Sequence, residues 1–236
     1  MTSQSRPRWK SVVFDLDGTL ADTVELIVQS HQHTIGTKLG KQEDPAVLRT
    51  WIGRTLEVAY HDYCPERADE LVAAYIEWSD ANTARLLRGF DGIGQVVDQL
   101  DAAGLRLAVA TSKRRSQATR VMSELGLDEH IEVLVTMEDT DKHKPDPQPL
   151  LMAVQALGGT PAEAVYVGDA VVDTLAGKAA GMSTVAVTWG AGHPDALAGV
   201  RPDRVAHTPQ ELSSILLGAP RAEDGAAVDR PGPRPA

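Results

Sequence analysis

The residues best suited to chemistry lie at positions 12–20, which read Val-Val-Phe-Asp-Leu-Asp-Gly-Thr-Leu. An apolar run stops in two carboxylates, Asp15 and Asp17, two positions apart. In a strand that spacing turns both side chains to one face, and Gly18 lets the chain turn sharply away afterwards. Two carboxylates at the edge of a buried strand are costly unless something cationic sits between them. A divalent metal ion together with a phosphoryl group is the simplest partner.

Three more polar clusters follow apolar stretches. They are Thr111-Ser112-Lys113, His143-Lys144-Pro145-Asp146-Pro147, and Gly168-Asp169-Ala170-Val171-Val172-Asp173. For all four clusters to serve one site, the elements before them must be neighbouring strands of one sheet.

The pattern along the chain predicts that arrangement. Residues 11–16 read as a buried strand. From Val24 the period becomes helical, with Val24, Ile27, Val28, His31 and Ile35 on one stripe. Further helices are expected over 46–51, 55–63 and 66–80. No strand is expected between 21 and 88, so this block reads as an all-helical insertion with its own small core. After Gly89, helices (93–103, 116–125, 148–157, 174–180, 209–217) alternate with strands (105–110, 131–135, 164–167, 183–187, and a short one around Val205). Glycines close several of the helices. Such alternation predicts an α/β fold, a three-layer, Rossmann-like parallel sheet core covered on both faces, with the helical block as an inserted cap. Ligands of such sheets bind at the C-terminal strand ends. The expected domains are a core at 1–21 and 89–217, a cap at 22–88, and a disordered tail at 218–236.

Bulk properties exclude several classes. The 236 residues are 42% hydrophobic with a net charge of -10. That balance argues against a nucleic-acid partner, which calls for clustered Lys and Arg. The one cysteine, Cys64, allows no internal disulfide and is expected to be a buried apolar residue in a helix. No apolar run reaches the ~18 residues of a membrane span, and the basic first ten residues lack a signal core. A cytoplasmic protein, monomeric or homodimeric, is the expectation.

The four clusters, in order, resemble the motifs of the haloacid dehalogenase (HAD) superfamily, in its phosphatase branch with a helical C1 cap. The DxDGT pattern is matched at Asp15, Asp17, Gly18 and Thr19, the strand-end hydroxyl at Thr111, the Lys before Pro at Lys144, and the acidic GDxxxD pattern at Asp169 and Asp173. The resemblance spans roughly 11–217. Within the family the chain is most similar to phosphoglycolate phosphatases and to the bacterial pyrophosphatase group PpaX.

The resemblance implies Mg²⁺-dependent hydrolysis of a small phosphorylated metabolite through an aspartyl-phosphate. Asp15 is then the nucleophile. Mg²⁺ is held by Asp15, Asp169 and the backbone carbonyl of Asp17, whose side chain serves as acid and base. Lys144 holds phosphoryl oxygens, and Gly18, Thr111 and Ser112 line the phosphate site. Asp173 orients Lys144 or a metal-bound water from behind. One departure is Ala170, where the family often has Ser, Thr or Asn. In the cap, Arg54 after Gly53 is the candidate for contacting a second anionic group.

Plainer readings stand beside these. Strand-end Asp residues also cap turns and helices. Thr111 could be an edge hydroxyl, Lys142 competes with Lys144, and Arg54 could be a solvent-facing residue after a glycine cap. Lys113 and the following arginines read as a solvated helix start, and His31 as a cap surface or core residue. A cis Lys144–Pro145 bond is a separate expectation. The leading substrate is 2-phosphoglycolate. The alternatives are inorganic pyrophosphate, a phosphomutase-type transfer to a sugar, and a phosphate-binding or regulatory protein without catalysis.

Overall fold

The computed structural model describes residues 8–131 and 133–218. The expected disordered tail lies, from residue 219 onward, outside the described residues. Strand β1 (Ser11–Phe14) is followed by a two-residue strand β2 (Ala21–Asp22). Helices α1 (Val24–Leu39), α2 (Pro45–Arg49), α3 (Leu56–Tyr63) and α4 (Ala68–Leu86) come next, and then β3 (Arg88–Gly89). The remainder alternates: α5 (Ile93–Ala102), β4 (Arg106–Ala110), α6 (Arg115–Glu124), β5 (Val133–Val135), α7 (Gln148–Ala156), β6 (Ala164–Gly168), α8 (Val171–Ala179), β7 (Ser183–Val187), α9 (Pro194–Gly199), β8 (Arg204–Ala206) and α10 (Pro209–Leu217).

Six strands form one parallel sheet in the order β5-β4-β1-β6-β7-β8. β1 is buried on both faces, which is why it reads as a continuous apolar run. Val12 and Phe14 join the layer under α5, α6 and α10, while Val13 joins the layer under α7 and α8. Phe14 is in register with Val109 of β4 and Val167 of β6. The ends of these three strands are thereby level. The chain leaves β1 for β4 and later crosses to β6 on its other side, so the strand order reverses at β1, where open α/β sheets bind ligands.

Helices α1 to α4 enclose a separate apolar cluster that includes Ile35, Leu48, Tyr60 and Leu71. Their starts follow local chemistry. Asp44 accepts the Ala46 N–H at 2.8 Å ahead of Pro45, and Thr55 accepts the Val58 N–H at the start of α3.

Differences from the sequence expectation are local. β1 stops at Phe14, and α4 runs to Leu86, six residues past its expected end at 80. The stretch expected to lack strands begins with β2, which pairs antiparallel with β3 (Ala21 with Gly89, Asp22 with Arg88). Two-residue strands carry no readable period, so this clasp at the two ends of the helical insertion is a tertiary feature. Cys64 is half-buried at the end of α3, not a core residue, and its thiol donates to Glu66. Lys144–Pro145 is cis. Among the described residues no helix is long and apolar enough to cross a membrane.

Candidate active site

The register of β1, β4 and β6 brings Asp15, Thr111 and Asp169 to one edge. Asp15 donates its N–H to the Val167 carbonyl at 2.8 Å, and Thr111 donates its own to Val135 at 3.0 Å. From the loop before α7, Lys144 reaches in. Its Nζ donates to Asp15 Oδ1 at 2.8 Å and Asp173 Oδ1 at 2.7 Å, and to the Tyr166 hydroxyl at 3.1 Å. Asp173 Oδ2 also accepts the Ala170 N–H at 2.9 Å, which fixes it at the start of α8.

Asp169 is fully buried. Its Oδ1 accepts the Thr19 hydroxyl at 3.3 Å, and its Oδ2 accepts the Ala191 N–H at 2.6 Å. The Ala191 contact comes from a loop that sequence reasoning missed. That loop, 188–192, wraps Asp169, and Trp189 donates its indole N–H to the Thr19 carbonyl at 3.1 Å. Gly190 is required there: a Cβ would lie 2.2 Å from Asp169 Oδ2. Gly18, at φ +80°, is required for the same reason, with Asp169 Oδ2 2.4 Å from where its Cβ would stand. The readable signal was a fifth strand end, Trp189-Gly190-Ala191-Gly192, following β7.

Carboxylate oxygens of Asp15, Asp169 and Asp173 lie within 4.8 Å of one another, and all three residues are buried. Among the described residues one ammonium, Lys144, is paired with them. Burial pushes the Asp15 carboxyl well above the usual carboxylate range, against the pull of Lys144, with Asp173 and Asp169 adding to the rise. Asp169 is pushed up to about 7, first by burial and then by Asp173. The cluster is short of positive charge, and its donors are hard oxygens. Those properties fit a small divalent cation such as Mg²⁺.

Asp17 stands apart from that cluster. Because β1 ends at Phe14, strand alternation does not carry through to it. Asp15 and Asp17 still line one cavity, but with different partners. Asp17 Oδ1 accepts the Thr23 hydroxyl at 2.6 Å, and Lys113 Nζ lies 2.8 Å from Oδ1 and 3.0 Å from Oδ2. Lys113 therefore corrects the sequence reading. Its side chain is 9% exposed and paired, not a solvated helix start. The physical reason is the pairing of β1 with β4, which brings the loop after β4 beside Asp17, 96 residues away in sequence.

The cavity, about 40 Å³, lies between the sheet edge and the helical block. That is room for a few water molecules. The Ser112 hydroxyl donates to the Gly53 carbonyl at 2.7 Å, Arg114 pairs with Glu57, and Gln117 donates to Asp80 at 3.0 Å. Gly53 sits against Ala170 and Val172, where a Cβ would come within 3.3 Å of Ala170 Cβ. The small side chain at 170 thus leaves room for the 51–54 turn. Ser112, expected at the phosphate, spends its hydroxyl on this contact. Arg54 borders the cavity, but its guanidinium is paired with Asp62 of α3. His31 is a core residue and also lines the cavity. It is bonded through Nδ1 to the Tyr60 hydroxyl at 2.9 Å and ringed by Trp51 and Tyr75. Burial lowers its pKa to about 3.

Comparison with known proteins agrees with this architecture. The chain is 35% identical over 210 residues to pyrophosphatase PpaX of Halalkalibacterium halodurans, covering 87% of this chain and 96% of that protein. It superposes on the phosphate complex of CbbY from Rhodobacter sphaeroides with a TM-score of 0.75 at 25% identity, over 86% of this chain and 96% of the other. A predicted phosphoglycolate phosphatase from Haemophilus somnus 129pt shares the fold, with a TM-score of 0.81 at 23% identity, over 89% and 99% of the two chains. Residues 12–187 match the family model for haloacid dehalogenase-like hydrolases, and the chain belongs to that family.

Proposed function

We propose that this hydrolase cleaves a small phosphate compound carrying a second anionic group, by way of an aspartyl-phosphate on Asp15. Pyrophosphate leads among the substrates, because the relative from Halalkalibacterium halodurans is a pyrophosphatase. The expectation from sequence, 2-phosphoglycolate, is the second candidate, since its carboxylate supplies the same second charge. The observation that carries the reading is the meeting of Asp15, Lys144, Asp169 and Asp173 in one buried, cation-poor cluster beside a cavity reached by Asp17.

In this mechanism Lys144 holds Asp15 Oδ1 and so fixes the rotation of the carboxylate. An Asp15 oxygen attacks phosphorus as the bond to the leaving oxygen breaks. The leaving oxygen takes its electron pair and a proton from the Asp17 carboxyl. Water then attacks the aspartyl-phosphate, giving its proton to Asp17, and Asp15 is regenerated. Thr111 and nearby backbone N–H groups receive the phosphoryl oxygens. The side chains of Asp15 and Asp169 and the backbone carbonyl of Asp17 would hold Mg²⁺, which when bound offsets the negative charge gathered around the phosphoryl group. Asp173 and Tyr166 position Lys144. The helical block excludes water while closed, and β2 and β3 are the clasp about which it opens for substrate.

The test is phosphate release from pyrophosphate, 2-phosphoglycolate and sugar phosphates with Mg²⁺ or EDTA. Release from one doubly anionic compound, lost in EDTA and in Asp15→Asn, supports the reading. Release that survives Asp15→Asn overturns it.

A further inference from the structure

We infer that Lys113 reads the second anionic group of the substrate, and that its transfer from Asp17 to that group is what frees Asp17 to act on the leaving oxygen. The inference rests on the phosphoryl-transfer reading above and assigns to Lys113 both a specificity role and a positioning role.

The geometry starts at Asp17. Its Oδ1 has two partners, the Thr23 hydroxyl at 2.6 Å and Lys113 Nζ at 2.8 Å, while Lys113, at 3.0 Å, is the only partner of Oδ2 among the described residues. Lys113 takes up acceptor sites on both oxygens, so a leaving group must compete with its ammonium for Asp17. If Lys113 withdraws, Thr23 still fixes Oδ1 and the orientation of the group. Oδ2 alone is released.

What would draw the ammonium away is set by the substrate. The atom that Asp17 must protonate is the bridging oxygen. In pyrophosphate the second phosphoryl group is bonded directly to that oxygen. In 2-phosphoglycolate the carboxylate is separated from it by one methylene. Either anion lands beside Asp17, within reach of an ammonium that is already in contact with it. A simple alkyl phosphate offers nothing at that place.

The other cations near the cavity pair with carboxylates other than Asp17. Arg54 is paired with Asp62, Arg114 with Glu57, and Lys144 with Asp15 and Asp173. Lys113 lines the cavity, and its ammonium has the Asp17 carboxylate as its one partner among the described residues. With three ammonium protons it can bridge to an arriving anion before it releases Asp17.

The experiment compares wild type, Lys113→Met and Lys113→Arg with Mg²⁺ on pyrophosphate, 2-phosphoglycolate and methyl phosphate. A charged hydrogen bond of this kind predicts that the kcat/KM ratio of doubly anionic substrate to methyl phosphate falls about ten- to a hundredfold in Lys113→Met, carried mainly by KM. Lys113→Arg keeps the ratio within about threefold of wild type, because the charge is retained. An equal loss on all substrates in Lys113→Met would mean that the residue only supports the fold or Asp17, and overturns the inference.

A second measurement needs no turnover. Methylenediphosphonate and methylphosphonate are titrated calorimetrically into the Mg²⁺-loaded proteins. The diphosphonate is expected to lose about tenfold more affinity than the monophosphonate on Lys113→Met, and an equal loss overturns the inference. If wild type releases no phosphate from any compound, the phosphoryl-transfer reading fails, while the titration still decides whether Lys113 recognises the second anion.

Discussion

The two walls of the cavity are charged on opposite plans. On the sheet side, the carboxylates of Asp15, Asp169 and Asp173 share one ammonium, Lys144, and all of these groups are buried. On the side facing the cap, where the loops after β1 and β4 meet it, every charge bordering the cavity has its own partner among the described residues: Asp17 with Lys113, Glu57 with Arg114, Asp62 with Arg54. The sheet wall is frustrated and rigid, held by strand register and by backbone N–H groups. The cap wall is balanced and built from side chains that can exchange partners. The proposed catalysis calls for the first arrangement, whose deficit of positive charge a divalent cation would fill. Selectivity is better served by the second, in which recognition replaces one pairing with another.

The most severe break of this contrast is Asp15→Asn. Phosphate release is expected to fall by at least about a thousandfold. The thermal midpoint should not fall, because the change removes a charge that the apo cluster holds at a cost. A clear loss of stability would mean that the sheet wall is not frustrated.

Next comes metal linkage. Saturating Mg²⁺ should raise the stability of wild type, by about 2.7 kcal/mol at a hundred times the dissociation constant. Asp169→Asn should abolish most of that rise in a thermal melt with and without EDTA. An undiminished rise would move the metal away from this cluster.

The pH dependence separates the walls by sign. His31 has a folded pKa of about 3 against 6.5 in an open chain, so the unfolded state takes up the proton first as pH falls. Its contribution is full above pH 6.5 and declines from there toward 3, about 2 kcal/mol being lost by pH 5. Asp169 in the metal-free protein runs the other way. Its folded pKa of about 7 exceeds the ordinary 3.8, so its contribution is full below 3.8 and disappears as pH rises through about 7. Urea unfolding at pH 7.5 and 5.0 should therefore shift in opposite directions for His31→Gln and Asp169→Asn, each relative to wild type. Shifts of the same sign would contradict the contrast.

The smallest effect is expected at the half-exposed pair joining cap to core. Arg114→Met should cost no more than about 1 kcal/mol and change KM by only a few-fold. A much larger effect on KM would make Arg114, and not Lys113, the principal cation for the second anionic group.

Much of the molecule could be read locally. Val12, Val13 and Phe14 are apolar without alternation because both faces of β1 are covered, and that pattern is visible in the chain. Pro209 at the start of α10 and Gly40 after α1 mark helix ends through their fixed or left-handed backbone angles. Asp15, Asp17 and Asp169 announce themselves because carboxylates close after buried strands need a reason to be there, whereas Lys144 lies in the loop well past β5 and stands out by its place before Pro145. Lys113 stood in the strand-end cluster Thr111-Ser112-Lys113, but its place just before α6 reads equally as a solvated helix start, and nothing local pairs it with Asp17.

Residue types, the order of the strands along the chain and the four polar clusters were properties of the sequence itself, since they follow from local periodicity and the cost of burying charge. Which cation faces which carboxylate was decided only by the tertiary structure. Lys113 meets Asp17, Tyr166 meets Lys144 and Ala191 meets Asp169 across separations of 96, 22 and 22 residues. Contacts that distant depend on strand order and on how the helical block closes, and short-range patterning carries no record of either.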